Sequence, residues 1–266
     1  MVAVGLVVAA AMVGAFMPQV SRAQGFVGPK TYYLGLGDSL AFGYQPNFSW
    51  NNGYVQQWYS NLKLHGTKSL TNYGCNGETS ATFINGGCPY AYLLHNSYVG
   101  SQLNAAVNFI KGHAGKVSPV SLDMGANDLL PDIDLATCTV SASWNTDLAN
   151  LDARMTGTIL PKLAAALAGR HGARTGDLVM MNYYDPYQNQ CPNSVTYVQQ
   201  LNAHLASDAA QFGVPVSDVF TAFGGAAVPD PNTCTYTWIC SSYQDIHATN
   251  TGYGVIAGAF EAETGY

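Results

Sequence analysis

The chain has 266 residues, of which 48% are hydrophobic and only 10% charged, and its formal net charge is −6. That length and apolar content suffice for a buried core, which excludes a disordered chain. The acidic balance and the lack of any basic run argue against nucleic acid as a partner.

Residues 2–20 are almost wholly apolar and small, and Ser21-Arg22-Ala23 places small side chains at the −3 and −1 positions of a cut after Ala23. The pattern predicts a signal peptide over residues 1–23 and one exported, secreted domain over residues 24–266. It departs from the usual leader in lacking a Lys or Arg ahead of the apolar run, and an uncleaved anchor is the alternative. Loss of Arg22 takes the net charge to −7. Cys75, Cys88, Cys138, Cys191, Cys234 and Cys240 remain, and an even count in an exported chain predicts three disulfides. Sequence proximity favours Cys75–Cys88 and Cys234–Cys240, which leaves Cys138–Cys191. No C-x-x-C or H-x-x-x-H pair occurs, so no zinc site is expected.

Past the leader, strand-like and helix-like patterns alternate. Residues 32–36 read as a first strand. Residues 54–65 space Val55, Trp58, Tyr59 and Leu62 on one helical face and stop at Gly66. Residues 69–73 read as a short strand. Residues 101–111 put Leu103, Ala106, Val107 and Ile110 on one face. Residues 117–124 read as a buried strand. A long helical pattern over 144–169 is expected to bend or split at Gly157 and Pro161. A buried strand is expected at 177–182, a helix at 195–212, a short strand at 214–216 and a final helix at 249–263. Strands alternating with helices of this length imply an α/β fold with a mostly parallel sheet covered on both faces. Such sheets carry their sites beyond the carboxyl ends of the strands. The longer loops, 84–98, 128–143, 185–194 and 221–244, hold cysteines and aromatic residues and are expected to form a stapled rim.

Four short segments fall at those places. Gly37-Asp38-Ser39-Leu40 follows the first strand, where Asp and Ser suit a helix cap and a serine is exposed to the amides of the next turn. Asn72-Tyr73-Gly74-Cys75-Asn76-Gly77-Glu78-Thr79 follows the second. Gly125-Ala126-Asn127-Asp128 follows the third. Asp245-Ile246-His247 precedes the last helix, which contains Gly252-Tyr253. Each is also readable as an ordinary turn or cap, but the four in this order resemble the SGNH (GDSL) hydrolase family of esterases and lipases. The resemblance runs from about residue 31 to the end of the chain.

That resemblance implies a three-layer α/β/α sandwich of flavodoxin-like type and hydrolysis of carboxylic esters. Ester hydrolysis needs a nucleophile, a base and donors aimed at the oxyanion. Ser39 and His247 fit the first two roles. The family's oxyanion hole maps onto the Ser39 and Gly77 backbone N–H groups and the Asn127 side-chain amide, with Gly74 a rival for the glycine. The family's acid lies three residues before its histidine, where this chain has Gln244. Asp245, two before, is the candidate to orient His247, and a main-chain carbonyl near Tyr243 or Gln244 is the alternative. Asp38 is expected to hold the nucleophile turn and Asp128 the Asn127 loop. The expected substrate is an uncharged acyl, aryl, acetyl-sugar or lipid ester. No metal or organic cofactor is implied, and a monomer is expected. The rival reading is a catalytically silent carbohydrate- or lipid-binding protein on the same scaffold.

Overall fold

The structure, a computed structural model, describes residues 25–266. The expected leader over residues 1–23 lies outside the described residues. In chain order the elements are β1 (Tyr32–Leu36), α1 (Ser39–Phe42), α2 (Tyr54–Leu62), β2 (Ser69–Asn72), α3 (Ser80–Asn85), α4 (Gln102–Gly112), β3 (Val117–Leu122), α5 (Ala126–Leu129), β4 (Ile133–Asp134), β5 (Thr139–Val140), α6 (Trp144–Arg154), α7 (Leu160–Ala166), β6 (Leu178–Met181), α8 (Ser194–Ala210), β7 (Val216–Ser217), α9 (Val219–Phe223), α10 (Thr233–Tyr236) and α11 (Asn250–Thr264).

The main sheet has five strands in the order β2-β1-β3-β6-β7, and every neighbouring pair is parallel. Helices α2, α9 and α11 pack together on one face, while α4 with α7, and α6 with α8, cover the other. This is the three-layer sandwich expected from the alternation. The central strands are buried on both faces, so they read as apolar runs rather than as alternating patterns. Strand order reverses between β1 and β3, so the connections leaving their paired carboxyl ends run to opposite sides and leave a crevice.

Local chemistry accounts for the element boundaries. Helix α2 buries Tyr54, Val55, Trp58 and Leu62, tightens into a 3-10 turn over Lys63–His65 and ends at Gly66 with φ +100°. Pro119 lies inside a central strand without an N–H to give, and the β1–β3 register shifts at that point. The helical pattern after residue 144 is split into α6 and α7 near Gly157 and Pro161, as expected. A π-helical turn over Met155–Ile159 joins α6 to α7, with Pro161 in the first turn of α7. The wider turn takes in Gly157, and Pro161, which has no N–H to give, sits where none is needed. The last strand starts at Val216, later than the apolar pattern suggested, and the β4–β5 hairpin and helices α3, α9 and α10 are too short to show a periodicity in the sequence.

Cys75–Cys88, Cys138–Cys191 and Cys234–Cys240 form the three disulfides, the pairing that sequence proximity favoured. Both ends of the domain meet at one buried carboxylate. Asp177 accepts hydrogen bonds from Val27 N (2.9 Å), Gly28 N (2.8 Å) and the Tyr266 hydroxyl (2.9 Å). Among the described residues no helix is long and apolar enough to cross a membrane.

Helices α6 and α8 meet at an acid pair. Asp208 of α8 is buried beside Asp152 of α6, which takes a 2.8 Å contact from His204 Nδ1. Burial, then the Asp152 charge, pushes the Asp208 carboxyl up to about 7. In the unfolded chain the same group loses its proton near pH ~4. Between those values the native state binds more protons, so this site removes stability as pH rises through the window. Asp208→Asn is therefore expected to raise Tm relative to wild type more at pH 8 than at pH 5. Thermal unfolding at the two pH values checks this, and an equal shift at both would contradict it.

Candidate active site

The first motif forms a sharp exit from β1. Gly37 takes φ +135°, and a Cβ there would lie 2.3 Å from the Asp123 carbonyl oxygen, so only glycine fits the turn. Asp38 caps α1 by accepting from Leu40 N at 2.8 Å. Ser39 is thereby the first residue of α1, half-buried, with its hydroxyl free to face the crevice. Its backbone N–H, like that of Gly77, makes no hydrogen bond among the described residues. The first amides of a helix lack an intrahelical partner, so this donor is available to a ligand.

Beneath the turn lies a buried polar network. Asp123, at the end of β3, accepts from Asp38 N (3.0 Å) and from the Tyr54 hydroxyl (2.6 Å). Tyr183 donates its hydroxyl to Asp38 Oδ2 at 3.0 Å. Burial raises both carboxyl groups, and Asp38 is lifted further by the neighbouring Asp123 charge. Two like charges in so dry a place favour one shared proton. Burial also holds the Tyr54 and Tyr183 phenols protonated, so both remain donors. Gln102, on α4, grips the same turn from the other side. Its Oε1 accepts from Gly37 N at 2.7 Å, and its Nε2 donates to Gly37 O at 3.0 Å and to Glu78 Oε2 at 2.9 Å.

The second and third motifs come in from the flanking strand ends. Gly77 has φ +76° and lines the crevice. Gly74, its rival, is filled from below: a Cβ there would lie 2.3 Å from Phe42 N of α1. Gly74 is thus a close-packing residue. Asn127, in α5, donates from Nδ2 to Glu78 O at 3.0 Å, which fixes the amide plane beside Gly77 and leaves its second N–H free. Asp128 ties the segment that carries Asn127 to its neighbours. It accepts from Ser80 N (2.8 Å) and Ser80 Oγ (2.6 Å), with Arg154 3.3 Å away, and so anchors the start of α3, just past Gly77.

The fourth motif closes the site. His247 Nε2 lies 2.7 Å from Ser39 Oγ, and His247 Nδ1 lies 2.7 Å from Asp245 Oδ1. The carboxylate acceptor places the ring proton on Nδ1 and leaves Nε2 to accept from the serine. Burial alone would raise the Asp245 carboxyl, but hydrogen bonds from the His247 ring and backbone, with the ring's charge, hold it below its ordinary value. The loop is pinned by Trp238 N to His247 O (3.0 Å), by the Tyr184 hydroxyl to Ile246 O (2.9 Å) and by the Cys234–Cys240 disulfide. Gly252 lets α11 run against Tyr236, where a Cβ would lie 2.0 Å from the carbonyl oxygen. Tyr253 donates to Tyr44 O at 2.8 Å, and the Tyr44 ring stands 4.6 Å from the His247 ring.

Ser39, Gly77, Asn127, Asp245 and His247 therefore line one cleft of about 380 Å³. Asp38, Tyr183 and Tyr184 form its floor, and Tyr44, Tyr90 and Tyr187 its walls. Phe48, Tyr92 and Tyr243 lie exposed outside it. Sequence reasoning missed Asp123, Gln102 and Glu78. The signals for them were an aspartate near the end of the run 117–124 and, for Glu78, its place inside the second motif.

A parallel α/β/α sandwich with a serine and a histidine meeting at its topological switch point is the architecture of the SGNH-type hydrolases. The chain belongs to the GDSL-like lipase/acylhydrolase family, whose model matches residues 36–255. Among solved structures it is similar to the extracellular lipase of Streptomyces rimosus, at 16% identity and TM-score 0.57, over 88% of this chain and 100% of that one. It is also similar to an acetylxylan esterase from Geobacillus stearothermophilus, at 15% identity and TM-score 0.56, over 90% and 96%. A lipase from a goat rumen metagenome matches at 17% identity and TM-score 0.57, over 87% and 96%. At these identities the likeness speaks for the fold. No curated protein matches the chain.

Removing the Gln102 amide would leave the Gly37 N–H unpaired and the buried Glu78 carboxyl with only the longer 3.4 Å bond from the Tyr98 hydroxyl. Gln102→Leu is expected to lower stability by about 1–3 kcal/mol and to depress kcat more than KM, because it loosens the turn rather than the binding walls. Denaturant unfolding and steady-state kinetics together check this, and a change in KM alone would contradict it.

Proposed function

We propose that the protein is a secreted serine carboxylic-ester hydrolase, with Ser39 as nucleophile, His247 as general base and acid, and Asp245 as the group that orients the imidazole. The observation that carries this reading is the 2.7 Å contact between Ser39 Oγ and His247 Nε2, made by residues 208 positions apart in the chain. Family membership supports ester hydrolysis as the class of activity. Three disulfides, and the likeness to an extracellular lipase, support export.

In this scheme Ser39 Oγ attacks the ester carbonyl carbon while its proton passes to His247 Nε2. The carbonyl oxygen becomes an oxyanion held by the Ser39 and Gly77 N–H groups and the free Asn127 amide hydrogen. As the ester C–O bond breaks, the same proton goes to the leaving alkoxide. Water then attacks the acyl-serine and gives a proton to His247 Nε2; as the acyl–Oγ bond breaks, that proton returns to Ser39 Oγ and the acid departs. The charged Asp245 stabilises the imidazolium in both halves. An Asp38–Asp123 pair that shares one proton carries one negative charge below the turn in place of two, which lessens repulsion of the developing oxyanion. The acetylxylan esterase and lipases of similar fold bracket the substrate range, from acetyl-sugar to lipid esters.

Initial rates on p-nitrophenyl butanoate test the assignment. Ser39→Ala is expected to lower kcat by about 10⁴-fold or more, Asp245→Asn by about 10³–10⁴-fold and Asn127→Ala by about 10²–10³-fold. A wild type no faster than Ser39→Ala would point to the silent binding protein. A loss below about tenfold in Asp245→Asn would hand the orienting role to a main-chain carbonyl.

A further inference from the structure

The two ends of the cleft come from opposite layers of the sandwich. His247 enters ahead of α11, on the α2–α11 face. The far end is lined by Leu129 and Leu130 after β3, Ile133 of the β4–β5 hairpin, Trp144 of α6, and Val198 and Leu201 of α8. No charged side chain stands among these six. The polar atom of Trp144 is turned away, since its Nε1 donates to Gln200 Oε1 at 2.8 Å.

Acylation of Ser39 sets three further directions at the tetrahedral carbon. The oxyanion points to the N–H donors, and the leaving oxygen points to His247 Nε2, from which it takes its proton. The acyl substituent takes the direction that remains, toward the α6–α8 side. We propose that this apolar recess is the acyl-binding arm, that it selects esters of unbranched aliphatic acids longer than acetate, and that the Cys138–Cys191 disulfide sets its width. The proposal rests on the serine-hydrolase reading above and narrows it.

The part played by the disulfide follows from how the roof is held. Ile133 sits on a two-stranded hairpin that does not join the main sheet. Opposite it, Tyr187 lines the same cleft from the loop after β6, and Cys191 N and Gln190 N donate to Tyr187 O at 2.7 and 2.8 Å. Cys138–Cys191 ties hairpin to loop. The other links across this joint are Asn193 Nδ2 to Cys138 O (2.6 Å) and Gln190 Nε2 to Leu135 O (3.3 Å), both exposed. Hydrogen bonds in contact with water contribute little net restraint, so the covalent link dominates.

The test is kcat/KM for p-nitrophenyl acetate, butanoate, hexanoate and octanoate below their micelle-forming concentrations. For wild type the value should rise about fourfold per methylene while the chain still finds apolar surface. Val198→Phe, which fills the arm, should cut the octanoate-to-acetate ratio of kcat/KM about tenfold or more. Ile133→Ala, which widens the arm without touching the disulfide, should move the optimum to a longer chain. The double variant Cys138→Ser/Cys191→Ser should flatten the chain-length profile and keep acetate turnover, which also shows that it has folded. A wild type that prefers acetate, or a Val198→Phe that loses all chain lengths equally, overturns the acyl arm. An unchanged profile in the double serine variant overturns the role of the disulfide. Absence of turnover on every ester, or full turnover in Ser39→Ala, strikes the serine-hydrolase reading instead.

Discussion

The site depends on the peptide between Gly37 and Asp38 being held from two sides. Asp123 takes the Asp38 N–H from the β3 side, and Gln102 takes both the N–H and the carbonyl of Gly37 from α4. A chain leaving a parallel strand has no ladder partner beyond the last pair, so its direction is otherwise free. Here those side chains, with the Cys75 N–H donating to Gly37 O at 3.0 Å, continue the ladder for one more residue. They fix where α1 begins, and with it the aim of the Ser39 hydroxyl. The buried groups are costly to desolvate, and each is satisfied by more than one partner.

The same polar layer joins the motifs to one another. Gln102 links the Gly37 turn to Glu78, and Asn127 donates to the carbonyl of Glu78. Glu78 follows Gly77 directly, so the proposed oxyanion donors are spaced by one continuous chain of hydrogen bonds. Asp128 and Ser80 extend that chain to the start of α3. On the opposite side, Tyr183 links the floor of Ser39 to β6, while Tyr184 holds the histidine loop. Adjacent tyrosines after one strand therefore support both partners of the Ser39–His247 contact.

What the sequence made legible follows the kind of force involved. Helix α2 and strands β1, β3 and β6 declare themselves because burial imposes a period or an apolar run on every residue. The motifs at Ser39, Gly77, Asn127 and His247 sit at the strand ends expected of a parallel sheet, where the structure brings them to one cleft. The hairpin bearing Ile133 was not legible, because two residues per strand carry no pattern. Nor were Gln102 and Glu78: each looks like a helix-surface or loop residue until the fold buries it. The split near Gly157 and Pro161 was legible, but its form, a π-helical turn joining α6 to α7 in place of a loop, was not.

The two halves of the cleft place opposite demands on the chain. A nucleophile turn needs fixed dipoles in a low-dielectric setting, and that calls for buried carboxyls, amides and phenols bound to one another. A recess for an apolar group needs the reverse, side chains that ask nothing of water. The sheet separates the two. Residues at the very ends of β1 and β3 supply the polar floor, while the helices on the α6–α8 face and the tethered hairpin supply the apolar wall. Asn127 and Leu129, two positions apart on α5, stand at the border between them. One short helix thus presents an amide donor to the Ser39 side and an aliphatic side chain to the recess, and its Gly125 start lies against Leu151 and Leu201 of the apolar layer. Changes in the wall can therefore alter which group is accepted while the floor, built on other elements, keeps the geometry of the Ser39 turn.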